Sequence, residues 1–176
     1  MNSLKRNFLL ISIILPCFSF AQNRASPITS LAAENSWIES TFKKMSRREK
    51  IAQLFMLRAQ TNKGAAFQDS VAYLIKKLQV GGLVFFQGGP VRQAELTNRY
   101  QGLAKIPLLI AMDGEWGLGM RLDSTISYPY QLTLGAIRDY SFIEKMGQQI
   151  AMDFKRLGMH VNFAPVVDIN NNPNNP

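Results

Sequence analysis

The 176-residue chain has few of the side chains on which metal sites and nucleophilic catalysis most often depend. It contains one cysteine, Cys17, and one histidine, His160. A metal centre of Cys and His ligands needs more of these residues than that, and Cys17 lies within residues 1–21, which are assigned to a signal peptide, so no Cys–His nucleophile pair is predicted either. Because His160 begins a predicted strand, it is interpreted as structural. Ser124 lies outside any Gly-x-Ser-x-Gly segment, which marks the nucleophile of many serine hydrolases.

The N-terminal apolar run is too short to cross a membrane, since a transmembrane helix needs about 20 apolar residues. This run covers residues 8–16, follows Lys5 and Arg6, and precedes a small-x-small pattern at residues 19–21. A positive start, a short apolar run and a small-residue cleavage pattern are typical of a secretory signal peptide. We therefore expect an exported protein, periplasmic or secreted, with no integral membrane span in the mature chain.

The remaining chain is expected to hold one domain. Residues 1–21 are assigned to the signal peptide, 22–40 to a polar linker, and 41–176 to the domain. The chain carries 20 Lys and Arg against 12 Asp and Glu. Its one basic cluster lies within residues 43–50 and is interpreted as a solvated helix face. Because no nucleic-acid-binding motif accompanies it, no nucleic-acid partner is predicted.

Short apolar strands alternate with amphipathic helices along the domain. Strands are predicted within residues 54–60, 83–87, 107–113 and 160–169. A helix is predicted after a Ser46–Glu49 capping box, and further helices at residues 67–80, 91–104 and 140–157. Gly81 and Gly82 are expected to end the helix that precedes them.

This order predicts an α/β protein with a parallel sheet covered by helices. An open doubly wound sheet and a TIM-like (β/α)8 barrel both fit it. No Gly-x-Gly-x-x-Gly segment opens a helix after the first strand, and no phosphate-binding loop is present, which disfavours nucleotide binding and predicts no cofactor. A barrel needs about 250 residues, so the chain is expected to supply about its first half.

In either architecture, functional groups collect at the carboxyl ends of the strands. Asp113 follows five apolar residues there. It either caps its loop or accepts hydrogen bonds from a polar ligand such as a sugar, whose hydroxyls suit a carboxylate. The glycines beside it are expected to admit a ligand closely, and Trp116 either packs or faces a sugar ring. Arg121 is expected to pair with a carboxylate or reach the ligand.

Three segments, taken together, resemble a known family. "IAMDGEWGLGMRL", "LGMHVNFAPVVDINNNPNNP" and "VGGLVFFQGG" are similar to conserved stretches of family 3 glycoside hydrolases, in the β-N-acetylhexosaminidase branch. The resemblance covers residues 45–176 and implies a TIM-like barrel. One departure is Trp116-Gly117-Leu118, where Gly-Gly-Arg is commoner.

The resemblance implies roles for five residues of a carbohydrate-binding site. Asp113 matches the carboxylate that binds the terminal sugar, and Arg121 matches the arginine closing that motif. Asp168 matches an Asp near the site, Glu115 belongs to the same sugar-binding floor, and Arg58 is expected to reach the sugar from the first strand. These residues are assigned to substrate binding, with no metal.

The implied reaction is retaining hydrolysis through a covalent glycosyl-enzyme. The resemblance places the nucleophile and the acid/base downstream of Pro176, so no catalytic residue is predicted within the chain. The expected activity is that of an exo-acting β-N-acetylhexosaminidase on N-acetylglucosamine-containing glycans, such as peptidoglycan fragments. Two alternatives stay open: a β-glucosidase-type exo-glycosidase of the same family, and a non-catalytic sugar-binding fragment.

Overall fold

The computed structural model describes residues 36–168 and 171–172. The predicted signal peptide, most of the predicted linker and most of the Asn- and Pro-rich end therefore lie outside the described residues. The chain divides into two units, Met1–Thr41 and Phe42–Pro176. Of the first unit, only residues 36–41 are described.

Four short strands and six α-helices form the described part of the chain. The strands are β1 (Met56–Ala59), β2 (Gly82–Phe85), β3 (Leu109–Met112) and β4 (Val161–Asn162). The helices are α1 (Ser36–Lys44), α2 (Arg47–Ala52), α3 (Ala65–Leu78), α4 (Pro90–Gln101), α5 (Gln131–Leu134) and α6 (Tyr140–Arg156). A 3-10 helix, Leu118–Met120, lies between β3 and α5. Helix α1 begins within the predicted linker, so residues 36–40 are helical.

The predicted capping box at the start of α2 is confirmed. The Ser46 hydroxyl accepts a hydrogen bond from the Glu49 backbone N–H, and the Ser46 N–H donates to the Glu49 carboxylate at 2.9 Å. The backbone and side-chain hydrogen bonds from Ser46 lower the pKa of Glu49. The start of α2 is therefore determined by hydrogen bonds between Ser46 and Glu49, which are close in sequence.

The predicted end of α3 at Gly81 and Gly82 is wrong. The helix ends at Leu78 and is capped by Gln79, which is left-handed at φ 56° and donates its backbone N–H to the Ile75 carbonyl. The Gln79 side-chain amide donates to the carbonyls of Ile75 and Lys76 at 3.3 and 2.8 Å. This buried amide satisfies the free carbonyls of the last turn, so no glycine is needed there.

The four strands form one parallel sheet in the order β1-β2-β3-β4. Each new strand is added beside the previous one. A doubly wound sheet reverses direction at a switch point, whereas a barrel adds its strands in sequence. The observed order matches the arrangement predicted for consecutive strands of a TIM-like barrel.

The two faces of the sheet differ in their surroundings. Residues on one face, including Leu83, Phe85, Ile110 and Met112, are fully buried in the core with side chains of α3, α4 and α6. The opposite face carries Arg58, Val84 and Ala111, which lie side by side in register. Leu109 lies on this second face and is 53% exposed. The helices therefore cover one face, as they do on the outside of a barrel.

In the part of the chain that the structure describes, no helix has the length and apolar composition needed to cross a membrane.

Candidate functional site

The carboxyl ends of β1 and β2 are tied together by side chains that follow each strand. The Gln60 side-chain amide donates to the Gln87 side-chain oxygen at 2.8 Å. The Thr61 hydroxyl accepts from the Gly89 N–H at 2.9 Å, and the Thr61 N–H donates to the Gln87 carbonyl. Gln60 and Thr61 are both buried. This edge of the sheet is therefore held by polar contacts between distant segments.

The long loop after β3 returns to the same edge. The Gly88 N–H donates to the Arg121 carbonyl at 3.2 Å, and the Asp123 N–H donates to the Gly88 carbonyl at 2.7 Å. Leu122 forms a bridge with Gly88 and is buried in the core. These contacts fix the backbone of Arg121 beside the end of β2.

Asp113 and Arg121 form an ion pair at this edge. The Arg121 Nη2 donates to the Asp113 Oδ2 at 2.7 Å, and the two side chains are 18% and 30% exposed. This bond uses one carboxylate oxygen, and a carboxylate can accept further bonds at its other oxygen. The Arg121 Nε is buried and has no hydrogen-bond partner among the described residues. The Asp113–Arg121 pair can therefore make further hydrogen bonds to a ligand.

Arg58 and Arg121 both contact the ring of Phe86. Their guanidinium carbons lie 4.7 and 4.8 Å from its centroid. Phe86 is the first residue after β2, as Gln60 is after β1 and Asp113 is after β3. The last residues of these three strands are paired in register, so the residues that follow them occupy equivalent positions. The structure thus brings Arg58, Arg121 and Asp113 together. The contact of Phe86 with the two arginines was not predicted, and only the register of the strands could have indicated it.

Asn162, at the end of β4, holds the backbone next to Asp113. Its side-chain oxygen accepts from the Gly114 N–H at 2.9 Å, and its side-chain nitrogen donates to the Gly114 carbonyl at 3.2 Å. Asn162 lies within the strand predicted at residues 160–169, and its contact with Gly114 was not predicted. The two bonds span 48 residues of sequence, so no local pattern reveals them.

Replacing Asn162 by leucine is expected to destabilise the protein by about 1–3 kcal/mol. The change removes both bonds and leaves the part-buried Gly114 N–H unsatisfied. Urea unfolding with an unchanged m-value measures the effect. Asn98→Leu, at an exposed position of α4, is the control and should shift stability by less than about 0.5 kcal/mol. Equal effects of the two changes would show that the hydrogen bonds between Asn162 and Gly114 do not stabilise the protein.

Glu115 and Trp116 make contacts of their own, outside the ion pair. Glu115 lines an open cavity of about 370 Å³ together with residues of α5, α6 and the segment after β4. Its carbonyl accepts from the Gln131 side chain at 3.1 Å. The Trp116 ring packs edge-on against Tyr130 at 4.5 Å between centroids. The predicted sugar-binding role of Glu115 is therefore untested by this geometry, and Trp116 has a packing contact.

The expectation that the neighbouring glycines admit a ligand stays a prediction, and the structure gives Gly114 and Gly117 a packing role. A Cβ at Gly114 would lie 2.5 Å from Phe154 Cζ, and one at Gly117 would lie 2.8 Å from Tyr128 Cδ2. Gly117 also has φ of +83°, which disfavours other residues. These two glycines therefore make room for aromatic side chains of the protein itself.

Asp168 is exposed, and no ion pair among the described residues includes it. The structure does not bring it to the Asp113–Arg121 pair, so its predicted role near the site stays a prediction. The Asn- and Pro-rich turns expected beside it lie mostly outside the described residues.

The structural interpretation of His160 is confirmed. Its Nδ1 accepts a hydrogen bond from the Ile110 backbone N–H at 3.0 Å, and the His160 backbone N–H donates to the Ile110 carbonyl at 2.8 Å. His160 thereby ties the start of β4 to β3, at the sheet edge opposite Asp113. Within the described residues, no group of three or more His, Cys, Asp or Glu side chains is arranged to hold a metal ion.

Comparison with known proteins relates these residues to one enzyme family. A model described as the glycosyl hydrolase family 3 N-terminal domain matches residues 46–176. Beta-hexosaminidase A of Pseudoalteromonas piscicida is 34% identical over 116 residues, which are 58% of this chain and 19% of that protein. The beta-N-acetylglucosaminidase/beta-glucosidase of Cellulomonas fimi is 28% identical over 80% of this chain and 24% of its own length.

A solved structure shares the fold as well as sequence. The beta-glucoside phosphorylase BglX bound to 2FGlc matches with a TM-score of 0.72 and 28% identity. The match covers 80% of this chain and 25% of that one. The chain therefore spans about a fifth to a quarter of the length of these relatives.

Proposed function

The chain belongs to the glycosyl hydrolase family 3 N-terminal domain family, as its sequence resemblance predicted, and we propose that its full-length gene product hydrolyses β-linked N-acetylglucosamine from glycans. The proposed enzyme is an exo-acting β-N-acetylhexosaminidase, and peptidoglycan fragments are its proposed substrates. Relatives named beta-hexosaminidase support the sugar class.

The Asp113–Arg121 pair is the observation that carries this proposal. It lies at the carboxyl edge of a parallel sheet, where barrel enzymes bind their substrates. An ionised carboxylate accepts strong hydrogen bonds from sugar hydroxyls. Arg121 orients Asp113 through a 2.7 Å bond, so the carboxylate is placed before the sugar arrives.

The described residues are suited to binding the sugar and not to breaking its bond. Retaining hydrolysis needs two carboxyl groups about 5 Å apart on opposite sides of the scissile bond. Asp113 and Glu115 are two residues apart on one loop, and residues so placed seldom face each other across a bond. We therefore propose that the nucleophile and the acid/base belong to residues outside this chain.

The uncovered face of the sheet supports a proposal about the rest of the barrel. Arg58 and Leu109 on this face are exposed, whereas Ala111 is buried. Further strands, supplied from outside the chain, would close the barrel over this face. Residues 1–21 carry the proposed export signal, which would place the enzyme in the periplasm or outside the cell.

Hydrolysis of chromogenic glycosides tests the proposed function. The full-length gene product is expected to release the chromophore from a β-N-acetylglucosaminide, and a protein of residues 22–176 alone is expected to be inactive. Inactivity of the full-length protein on every β-glycoside would refute the proposal, and so would activity of residues 22–176.

A β-glucosidase activity is the second candidate. It is favoured by the Cellulomonas fimi relative, whose name includes both activities, and by the similar solved structure, which is that of a beta-glucoside phosphorylase. The ratio of kcat/KM for β-N-acetylglucosaminide and β-glucoside, measured on the full-length protein, decides between the two sugars. A ratio well above one supports the hexosaminidase, and a ratio well below one supports the glucosidase.

A further inference from the structure

Thr61, the second residue after β1, holds the segment that follows β2. Its hydroxyl accepts a hydrogen bond from the Gly89 N–H at 2.9 Å, and its own backbone N–H donates to the Gln87 carbonyl at 3.1 Å. A Cβ placed on Gly88, between these two residues, would overlap the Thr61 hydroxyl. Residues 87–89 are therefore packed directly against Thr61 and bonded to it at both ends.

Residues 87–89 in turn hold the backbone of the loop that carries Arg121. The Gly88 N–H donates to the Arg121 carbonyl at 3.2 Å, and the Asp123 N–H donates to the Gly88 carbonyl at 2.7 Å. The side chain of Arg121 donates to Asp113 at 2.7 Å. The position of the Arg121 backbone, and with it the bond to Asp113, therefore depends on where residues 87–89 lie.

The hydrogen bonds of Thr61 are made within the chain and are buried. Thr61 and Leu122, the residue that forms a bridge with Gly88, are each 3% exposed. Because so little of these side chains is exposed, residues that complete the barrel have no room to take the place of these bonds. Removing the Thr61 oxygen would leave the Gly89 N–H buried and unsatisfied, which costs more free energy than a hydrogen bond contributes.

We propose that Thr61 is a positioning residue of the sugar site. Its hydroxyl fixes residues 87–89, and these fix Arg121 where it orients Asp113 for the sugar. Displacing a binding group by about 1 Å through a distant change can cost on the order of 10²-fold in rate, so a buried support of this kind affects activity without touching the sugar. This inference rests on the proposed function, because Asp113 is the proposed sugar-binding group.

Thr61→Val in the full-length gene product tests this role. Valine has nearly the shape of threonine but lacks the oxygen that accepts from Gly89. A displaced Asp113 should lose the equivalent of about one hydrogen bond to the sugar, which lowers kcat/KM on a chromogenic β-N-acetylglucosaminide by about 10-fold. Thr61→Ser restores the oxygen and should recover most of the wild-type value. Thr61→Ala removes the same oxygen with a smaller side chain and replaces valine if that variant does not fold.

Thr97→Val is the matched control. Thr97 lies in α4, is also buried, and has a hydroxyl with no hydrogen-bond partner among the described residues. The same substitution there should leave kcat/KM unchanged. Each value is corrected for the fraction of folded protein, measured by urea unfolding. Wild-type activity of Thr61→Val, or an equal loss in Thr97→Val, overturns the proposal.

Combination with Asp113→Ala separates positioning from a general structural role. If Thr61 acts through Asp113, the effect of Thr61→Val on kcat/KM should be largely lost once the carboxylate is gone. A residue that only supports the fold should lower activity by the same factor in both backgrounds, since independent effects add as free energies. Additive effects of the two changes would therefore overturn the proposal.

Failure of the proposed function gives a different result. Absence of turnover by the wild-type protein on every β-glycoside refutes the hydrolase. Hydrogen–deuterium exchange measured by mass spectrometry needs no substrate, and Thr61→Val should speed exchange in the peptides that contain the N–H groups of Gly88, Gly89 and Asp123. Thr97→Val should not. Unchanged exchange in Thr61→Val overturns the positioning role, whether or not the protein is a hydrolase.

Discussion

Asp113→Asn is expected to lower kcat/KM of the full-length enzyme on a β-N-acetylglucosaminide by about 10²-fold. A hydrogen bond to a charged group contributes about 1.5–3 kcal/mol, and each 1.4 kcal/mol is a factor of ten. The amide keeps the shape of the side chain but removes the charge that Arg121 contacts and that the proposed sugar hydroxyls would contact. Steady-state kinetics on the purified variant measure the effect.

Asp123→Asn is the matched control for this change. Asp123 also pairs with an arginine, Arg92, at 2.9 Å, but both side chains are more than half exposed. Exposed pairs contribute little, so kcat/KM should change by less than about threefold. If Asp113→Asn keeps wild-type activity, Asp113 does not bind the sugar. If both variants lose activity equally, the loss reflects net charge and not the site.

The expected loss should be larger than the loss of folded protein explains. Arg121 is 18% exposed, so removing the charge of its partner leaves a poorly solvated guanidinium and costs some stability. Measuring the fraction folded at the assay temperature separates the two effects. A variant that is fully folded and weakly active supports the binding role of Asp113.

Sequence patterns predicted the parts of this fold that depend on local physics. Continuous apolar strands bounded by glycines gave the parallel sheet, and the Ser46–Glu49 pair gave the start of α2. Asp113 was found because a carboxylate directly follows an apolar strand. Each of these signals lies within a few residues of the feature that it predicts.

The remaining parts of the site depend on contacts between distant residues. Phe86 is one of four consecutive apolar residues in sequence, and only strand register places its ring in contact with Arg58 and Arg121. Asn162 reaches Gly114 across 48 residues. Glu115 is close to Asp113 in sequence, and it lines a cavity beside α6. Its predicted role stays a prediction, whereas no sequence pattern indicated a role for Phe86.

Gly114→Ala is expected to destabilise the protein by about 1–3 kcal/mol, the usual cost of overpacking a filled core. The new Cβ would lie 2.5 Å from Cζ and 2.9 Å from Cε2 of Phe154, whose side chain is buried. Urea unfolding measures the change. Because Gly114 directly follows Asp113, the shift should also lower activity of the folded enzyme.

Gly147→Ala, in α6, is the control with the opposite sign. A Cβ at Gly147 meets no atom within 4 Å, and alanine stabilises a helix interior by about 0.5–1 kcal/mol relative to glycine. The same added methyl group should therefore stabilise the protein at one glycine and destabilise it at the other. Destabilisation of similar size at both positions would show that the effect does not come from crowding by Phe154.

A double-mutant cycle isolates the contact itself. Phe154→Leu alone should destabilise the protein, because it removes part of a buried ring from the core. In the presence of Gly114→Ala it should cost less, since the smaller side chain gives the new methyl group room. Coupling of about 0.5–3 kcal/mol is typical of residues in contact, whereas additive effects would mean that Phe154 is not what requires glycine beside Asp113.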